Sequence, residues 1–366
     1  GQIVDNALVH AWRFVPEYFK GHVWEYLYPN AAGNYYRPLN VLWFRINYAA
    51  FGEHPMGWHA TTIALHLVAT ALVFAIARRL TGRVLPAAIT ALFFGLHPTR
   101  HEVVAWVSGS TESICAVFFL SAFLAYLISR ESRRIVWMCA SCLLYAAALL
   151  SKETSIVLPA LVLAHAFLYG IDPAEGAAPH LWKRILGAVA HASLYAPFAI
   201  FYLVLRVHVL RGFSHPLTTM TFSDLLLTLP SVLWFYVSQW LFPIRFSESY
   251  DLAVRTGWDL AHVLVPLAAL AAMAGVLWLF RRKLGTRELL FALAATAFPL
   301  LPVLYIPVFS AGELVHDRYA YLPGFGGALL VALALQNLCR GRMVLGVPRR
   351  LLFGLLAIVV PLSYST

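Results

Sequence analysis

The sequence predicts an all-α, polytopic membrane helix bundle, and three observations carry that prediction. Of the 366 residues, 61% are hydrophobic and only 12% charged, whereas soluble domains carry about 25% charged residues. Several stretches supply the roughly 17 to 25 mostly apolar residues that a helix needs to cross a bilayer core of about 30 Å. The basic residues concentrate in alternate short connections, as positive-inside orientation requires.

Taken in order, the clearest spans are 57-77, 111-129, 135-150, 154-170, 185-207, 261-280, 289-309 and 320-339. Residues 84-98 and 350-364 are shorter apolar stretches, each read as a tilted, partial or truncated span. About ten crossings result, in a single transmembrane domain covering 1-366. The connections 78-83, 130-134, 183-184, 281-287 and 340-350 hold 16 of the 27 Lys and Arg and so mark the cytoplasmic side. A formal charge of +10 is thereby explained by topology, and a nucleic-acid partner is unnecessary. The opposite, noncytoplasmic face then receives 1-55, 97-110, 151-153, 208-221, 244-260 and 310-319. With 57-77 running inward to Arg78 and Arg79, residues 1-55 form a first external loop, and a helix upstream of Gly1 is expected to deliver it there.

Two segments depart from simple crossings. Residues 12-28, WRFVPEYFKGHVWEYLY, read as an amphipathic helix in the headgroup region or an aromatic belt. Segment 222-243 is apolar enough to span, but a crossing there would break the charge alternation. With Pro230 in its middle it reads as re-entrant or interfacial, a form tolerated at membrane depth against protein or a water-filled cavity. Cys115, Cys139, Cys142 and Cys339 lie in or beside apolar spans and imply no disulfide framework.

Charged groups at a hydrocarbon boundary cost free energy unless paired, which makes them candidate functional residues. Five external clusters meet that description: Asp5-Asn6, Tyr36-Arg37-Pro38-Leu39, His97-Pro98 with His101-Glu102, Ser151-Lys152-Glu153, and His316-Asp317-Arg318-Tyr319. Structural interhelical ion pairs would use the same residue types, so the pattern alone leaves both readings open. His97, His101 and Glu102 carry metal-ligating chemistry, yet Pro98 spoils a regular i, i+4 face and no H-E-x-x-H occurs. Glu112 falls where a helix N-terminus favours negative charge. No P-loop, G-x-G-x-x-G or G-x-S-x-G is present, so a nucleotide-binding domain is not indicated.

In chain order, DNALV at 5-9, YYRPLNVLWFRINYAAFG at 35-52, HATTIALHL at 59-67, GLHPTRHEVVAWVSG at 95-109, LLSKETSIVLPALVL at 149-163, LFPIRFSESYDL at 241-252 and HDRYAYLPGFG at 316-326 resemble one family. It is the GT-C membrane glycosyltransferases, specifically bacterial relatives of the transmembrane and tetratricopeptide-repeat O-mannosyltransferases. The resemblance runs along nearly the whole chain, and no tetratricopeptide repeat is visible in it. It implies transfer of a sugar, mannose in the named family, from a polyprenyl-phosphate donor to an acceptor hydroxyl of protein or glycan outside the cytoplasm. A bacterial inner membrane with the site facing the periplasm is the implied location.

By the same resemblance Asp5 stands where the family's first external loop carries an acid, the implied general base. Arg37, Lys152, Arg206 and Arg318 are the implied ligands of the donor phosphate, whose charge grows as it leaves. His97, Glu102, Glu153, Asp317 and Tyr319 would orient them or line the sugar or acceptor pocket. No cofactor is required on this reading, and use of a divalent metal is left open. Where the family often shows paired acids this chain has Asp5 followed by Asn6, and SGSTES at 108-113 lacks the family's frequent basic residue. The alternative is therefore a catalytically silent member serving as a structural subunit of a membrane protein complex. A secondary transporter would call for two related, broken-helix halves, and none is visible.

Overall fold

The structure, a computed structural model, describes residues 3–26, 28, 33–170, 180–243, 246–247, 249–310, 312–338, 343–344 and 347–348. Among them the chain forms α1 (Pro38–Phe51), α2 (Pro55–Thr81), α3 (Val84–Leu96), α4 (His101–Ala105), α5 (Ser110–Ser132), α6 (Ile135–Ser151) and α7 (Leu158–Tyr169). After them come α8 (Leu181–Ser193), α9 (Ala196–Leu210), α10 (Phe222–Leu241), α11 (Val265–Leu284), α12 (Thr286–Leu300) and α13 (Gly324–Leu338). A two-residue antiparallel ladder pairs Met343–Val344 with Val347–Pro348. Among the described residues the regular structure is all-helical apart from that ladder.

Among the described residues four helical runs, fewer than the ten or so crossings expected, are long and apolar enough to cross a membrane: Pro55–Thr81, Val107–Ser132, Leu260–Leu284 and Thr286–Leu304. Val84–Leu96, Ile135–Ser151, Glu153–Tyr169 and Gly324–Asn337 are apolar but shorter. The predicted continuous span 185-207 is instead two helices, α8 and α9, meeting at 47°. Pro197 explains the break, because it lacks the N–H that would donate to the Ser193 carbonyl. The short span predicted at 350-364 lies outside the described residues.

Local chemistry sets the helix ends. Pro38 occupies the first turn of α1, where a missing N–H costs nothing. A capping box starts α10: Thr221 Oγ1 accepts from Asp224 N at 3.2 Å, and Asp224 Oδ2 accepts from Thr221 N at 2.9 Å. Pro230 is accommodated inside that helix. Residues Trp12–Phe19 form a 3₁₀ helix that ends at Lys20, short of the 12-28 segment read from the pattern.

The chain divides into two compact units, Gly1–Leu72 with Val103–His215, and Val73–Glu102 with Pro216–Thr366. In the first unit α5 packs along α6, α6 meets α1 and α9, and α7 packs on α8. Tyr145 and Tyr195 are fully buried there, edge to face, and the Tyr195 hydroxyl bonds Ser141 Oγ at 2.6 Å. A buried phenol needs such a partner. A smaller core of Val9, Tyr18, Val41, Phe44 and Trp58 fastens the first loop to α1. In the second unit α13 packs against α3 and α12, while α10 packs on α11.

Candidate active site

The candidate residues fall into two groups, one in each unit. In the first unit Asp5 is exposed, and its neighbour Asn6 is buried as the cap of the turn Ala7–His10, accepting from Leu8 N at 3.1 Å. Asn6 also lines a cavity of about 220 Å³ whose walls include Glu17, Tyr18, His22, Glu25 and Arg37. This pocket is built from the segment before α1 and the start of α1. Tyr18 helps to shape it by donating its hydroxyl hydrogen to the Leu8 carbonyl at 2.8 Å.

Arg37 precedes α1 and makes a bidentate pair with Glu153, Nε to Oε2 at 2.9 Å and Nη2 to Oε1 at 2.5 Å. Its guanidinium also lies over the Tyr35 ring, 4.4 Å from the centroid. Burial works against the Glu153 carboxylate, but Arg37 outweighs it and holds that carboxyl at about 2. Burial alone would lower the pKa of Arg37, and Glu153 raises it above its ordinary value instead. Next to Glu153, Lys152 at the end of α6 is 2% exposed and donates to Glu112 in the first turn of α5. Glu112, Lys152, Glu153 and Arg37 therefore alternate in charge, each cation matched by a carboxylate.

Arg206 of α9 is used differently. Nη2 donates to the Asn34 carbonyl at 2.9 Å and Nη1 to the Phe213 carbonyl at 2.5 Å. Asn34 in turn clasps His215, donating from Nδ2 to its carbonyl at 2.8 Å and accepting from its N–H at 2.7 Å. A buried guanidinium thus joins the end of the first loop to the segment after α9.

The second unit assembles Glu102, Asp317, Arg318 and Tyr319. Glu102 Oε2 accepts from Arg318 N at 2.8 Å, and its other oxygen accepts from Arg318 Nη1. Burial would lower the Arg318 pKa, but Tyr319 and Glu102 raise it. Asp317, 1% exposed, accepts from the Tyr250 hydroxyl at 2.5 Å and from Gln239 Nε2 at 3.1 Å. Burial pushes its carboxyl above the ordinary value, against those two hydrogen bonds. Arg318 lies over the Tyr319 ring at 5.0 Å.

His97 is fixed at both ring nitrogens, Nδ1 by Thr99 Oγ1 and Nε2 by the Trp240 carbonyl, each at 2.9 Å. Burial beside Arg100 lowers its pKa to about 3, so it is a neutral imidazole bridging α3 and α10. Among the described residues no three His, Cys, Asp or Glu side chains are grouped as metal ligands.

Sequence reasoning had not paired Glu112 with Lys152, nor singled out Arg100, Gln239 or Tyr250. The signal for Gln239 was present, an amide inside the apolar run of α10. Chemically, the candidate cations Arg37, Lys152 and Arg318 each already hold a carboxylate, and Arg206 holds carbonyl oxygens. An anionic ligand at the first three must share the cation or displace its acid.

No family model matches the chain, and no solved structure matches it. It is 26% identical over 372 residues to the mouse (Mus musculus) protein O-mannosyl-transferase TMTC3, covering 92% of this chain and 39% of that protein. The Drosophila melanogaster protein O-mannosyl-transferase Tmtc1 is 39% identical over 121 residues, 33% of this chain and 14% of its own length. Human TMTC4, also named a protein O-mannosyl-transferase, is 38% identical over 148 residues, 35% of this chain and 20% of its own. The chain spans about two-fifths of the length of the relatives that match 92% of it. It is related in sequence to the TMTC protein O-mannosyl-transferases.

Proposed function

We propose that the chain is a glycosyltransferase that moves a sugar, mannose, from a polyprenyl-phosphate donor to an acceptor hydroxyl at the noncytoplasmic membrane face. The observation that carries this reading is the similarity to protein O-mannosyl-transferases along 92% of the chain. On the same reading, 1-366 is one GT-C-type membrane domain of about ten crossings, with 222-243 re-entrant or interfacial. The active face is periplasmic in a bacterial inner membrane, and the acceptor is a protein hydroxyl.

The reaction follows from the residue chemistry. The Asp5 carboxylate takes the acceptor hydroxyl proton as that oxygen bonds to the anomeric carbon. The bond from that carbon to the donor's phosphate oxygen breaks, its electron pair leaves with the polyprenyl phosphate, and the sugar configuration inverts. Charge grows on the leaving phosphate, so cationic donors placed there lower the barrier. Arg37, Lys152, Arg206 and Arg318 are the candidates, with His97, Glu102, Glu153, Asp317 and Tyr319 holding them or lining the sugar and acceptor pocket.

A transfer assay with polyprenyl-phosphate mannose, membranes and a hydroxyl-bearing peptide tests this reading. Loss of a positioned general base costs roughly 10²- to 10⁴-fold, and Asp5→Asn is expected to lose transfer in that range. Equal transfer by both proteins removes Asp5 as the base. One observation favours a second reading, a silent structural subunit of a membrane complex: Arg37, Lys152 and Arg318 are all matched by carboxylates, as in a purely architectural lattice. The intact chain would then transfer no sugar from any polyprenyl-phosphate donor.

A further inference from the structure

The run Val107–Ser132 is long and apolar enough to cross a membrane. Within it, α5 carries Glu112 in its first turn, beside Lys152, and Arg130 in its last. From Glu112 to Arg130 the helix rises about 27 Å at 1.5 Å per residue, close to the roughly 30 Å of a bilayer's hydrocarbon core. Arg130 therefore reaches the headgroup layer opposite the buried Glu112–Lys152 pair. Arg133 and Arg134 follow it in the short turn to α6. Arg130 Nη1 donates to His191 Nε2 of α8 at 2.5 Å, which sets α8 against this end of α5. The first turn of α8 adds Lys183 and Arg184, and Arg184 Nη2 donates to the Phe167 carbonyl in the last turn of α7 at 2.8 Å. All of these residues belong to the first unit.

None of these five cations has a carboxylate in ion-pair contact among the described residues, unlike Arg37, Lys152 and Arg318. Glu131 is the one acid in the α5–α6 turn, and it has an interaction of its own. Arg130, Arg133, Arg134 and Lys183 are exposed, so their charge is available to a partner. Arg133 also holds a φ of 54°, a left-handed conformation that glycine adopts without strain and a side chain does not. A cation is thus kept where the backbone favours glycine. Exposed apolar residues adjoin the charge directly: Leu181 and Trp182 precede Lys183, while Ile135, Val136 and Trp137 follow Arg134. Beyond them, Trp182, Leu186 and Val189 share one exposed face of α8, and Val136, Cys139 and Leu143 share one exposed face of α6. Tryptophan beside basic residues is the composition of a headgroup boundary.

We propose that this end of the first unit binds an anionic phospholipid, its phosphodiester held by Arg133, Arg134 and Lys183 and its acyl chains lying on the exposed stripes of α6 and α8. Charge complementarity selects this occupant. Cations with no acid of their own gain from an anionic headgroup, whereas a zwitterionic lipid brings a cation that cancels the gain. A soluble anion would answer the charge and leave both apolar stripes uncovered, and a neutral lipid would cover the stripes and leave the charge unanswered. The site lies at the opposite membrane boundary from the Glu112–Lys152 pair and does not rest on the transfer reaction proposed above.

The test uses the full chain with Cys339→Ser, labelled with bimane at the exposed Cys139, in phosphatidylcholine nanodiscs. Brominated phosphatidylglycerol or brominated phosphatidylcholine, each carrying bromine at the same acyl position, is added as a minor lipid, and bimane quenching reports which lipid sits beside α6. Phosphatidylglycerol is expected to quench at a mole fraction at least about fivefold lower, the gain that one cation makes near an anionic headgroup. Arg133→Gln with Arg134→Gln and Lys183→Gln should erase that preference while quenching by phosphatidylcholine stays unchanged, which shows that the label still faces lipid. Arg133→Gly, which relieves the backbone, should raise the unfolding midpoint and weaken the preference. Equal quenching by the two lipids, or a preference that survives the triple change, would overturn the site. So would loss of the preference to millimolar inorganic phosphate, the mark of a free-anion site, or a preference seen only in Asp172→Asn with Glu175→Gln, the mark of a surface covered by the chain's own acids.

Discussion

Replacing Glu112 by Gln leaves Lys152, 2% exposed, facing a neutral amide in place of its carboxylate. Both partners are buried, so solvent screens the pair very little. Removing one member of such a pair costs about 3–5 kcal/mol, because the remaining charge stays desolvated and uncompensated. Replacing both by apolar groups of similar volume is often nearly neutral. The cycle of Glu112→Gln, Lys152→Met and Glu112→Leu with Lys152→Met therefore predicts two costly single changes and a double variant within about 1.5 kcal/mol of the parent. Reversible SDS unfolding in mixed micelles, followed by tryptophan fluorescence, reads these differences. Single variants within about 1 kcal/mol of the parent would refute the reasoning, since that is what a solvated pair gives. A double variant as damaged as the sum of the singles would instead show that the two charges act independently.

Two further outcomes follow from the same chemistry. The Glu153 carboxyl titrates at about 2 in the fold against an ordinary 4.5, so the pair with Arg37 stabilises fully above the ordinary value and loses that contribution as pH falls toward about 2. Unfolding midpoints between pH 6 and pH 3 should fall more steeply for the parent than for Glu153→Gln, and parallel slopes would count against the pair. Tyr250→Phe deletes the 2.5 Å hydrogen bond to the buried Asp317 carboxyl and should cost about 1.5–3 kcal/mol. In Asp317→Asn the same tyrosine change should cost less, and equal costs in both backgrounds would show that the hydrogen bond carries no charge-assisted part.

Helical class was legible in the sequence because apolar runs and basic connections report solvent, which acts locally on each stretch. The bounds of α3, α6 and α7 track the predicted apolar stretches closely for that reason. The break between α8 and α9 was missed because the apolar count passes straight over Pro197, whose effect is on one hydrogen bond rather than on hydropathy. The pairing of Arg37 with Glu153 spans 116 positions, and that of Arg318 with Glu102 spans 216. Residue types at a boundary announce that some partner is needed, but the partner is chosen by tertiary packing. Glu112 shows the difference: its helix-terminal position suffices to explain an acid locally, and only the fold reveals the lysine it neutralises.

On the proposed function, the electrostatic state of the arginines ranks them as candidate phosphate ligands, which their positions along the chain could not. A phosphate ester gains most from a cation whose field is not already cancelled, since displacing a buried carboxylate leaves that acid uncompensated. Arg37 and Arg318 are each bound to a carboxylate by two hydrogen bonds, so an incoming phosphate must compete there with an acid held by the fold. Arg100 and Arg206 are buried and donate to carbonyl oxygens, and the Arg100 guanidinium also lies over the Phe94 and Tyr321 rings and in the field of Asp317. On the proposed reading the carboxylate-paired cations position loops, and a phosphate meets less competition at Arg206, whose partners are neutral carbonyls. Arg100 does not suit that role, because its buried Nη2 packs against Gly324, 1.9 Å from where a Cβ would sit, and leaves no room for an anion.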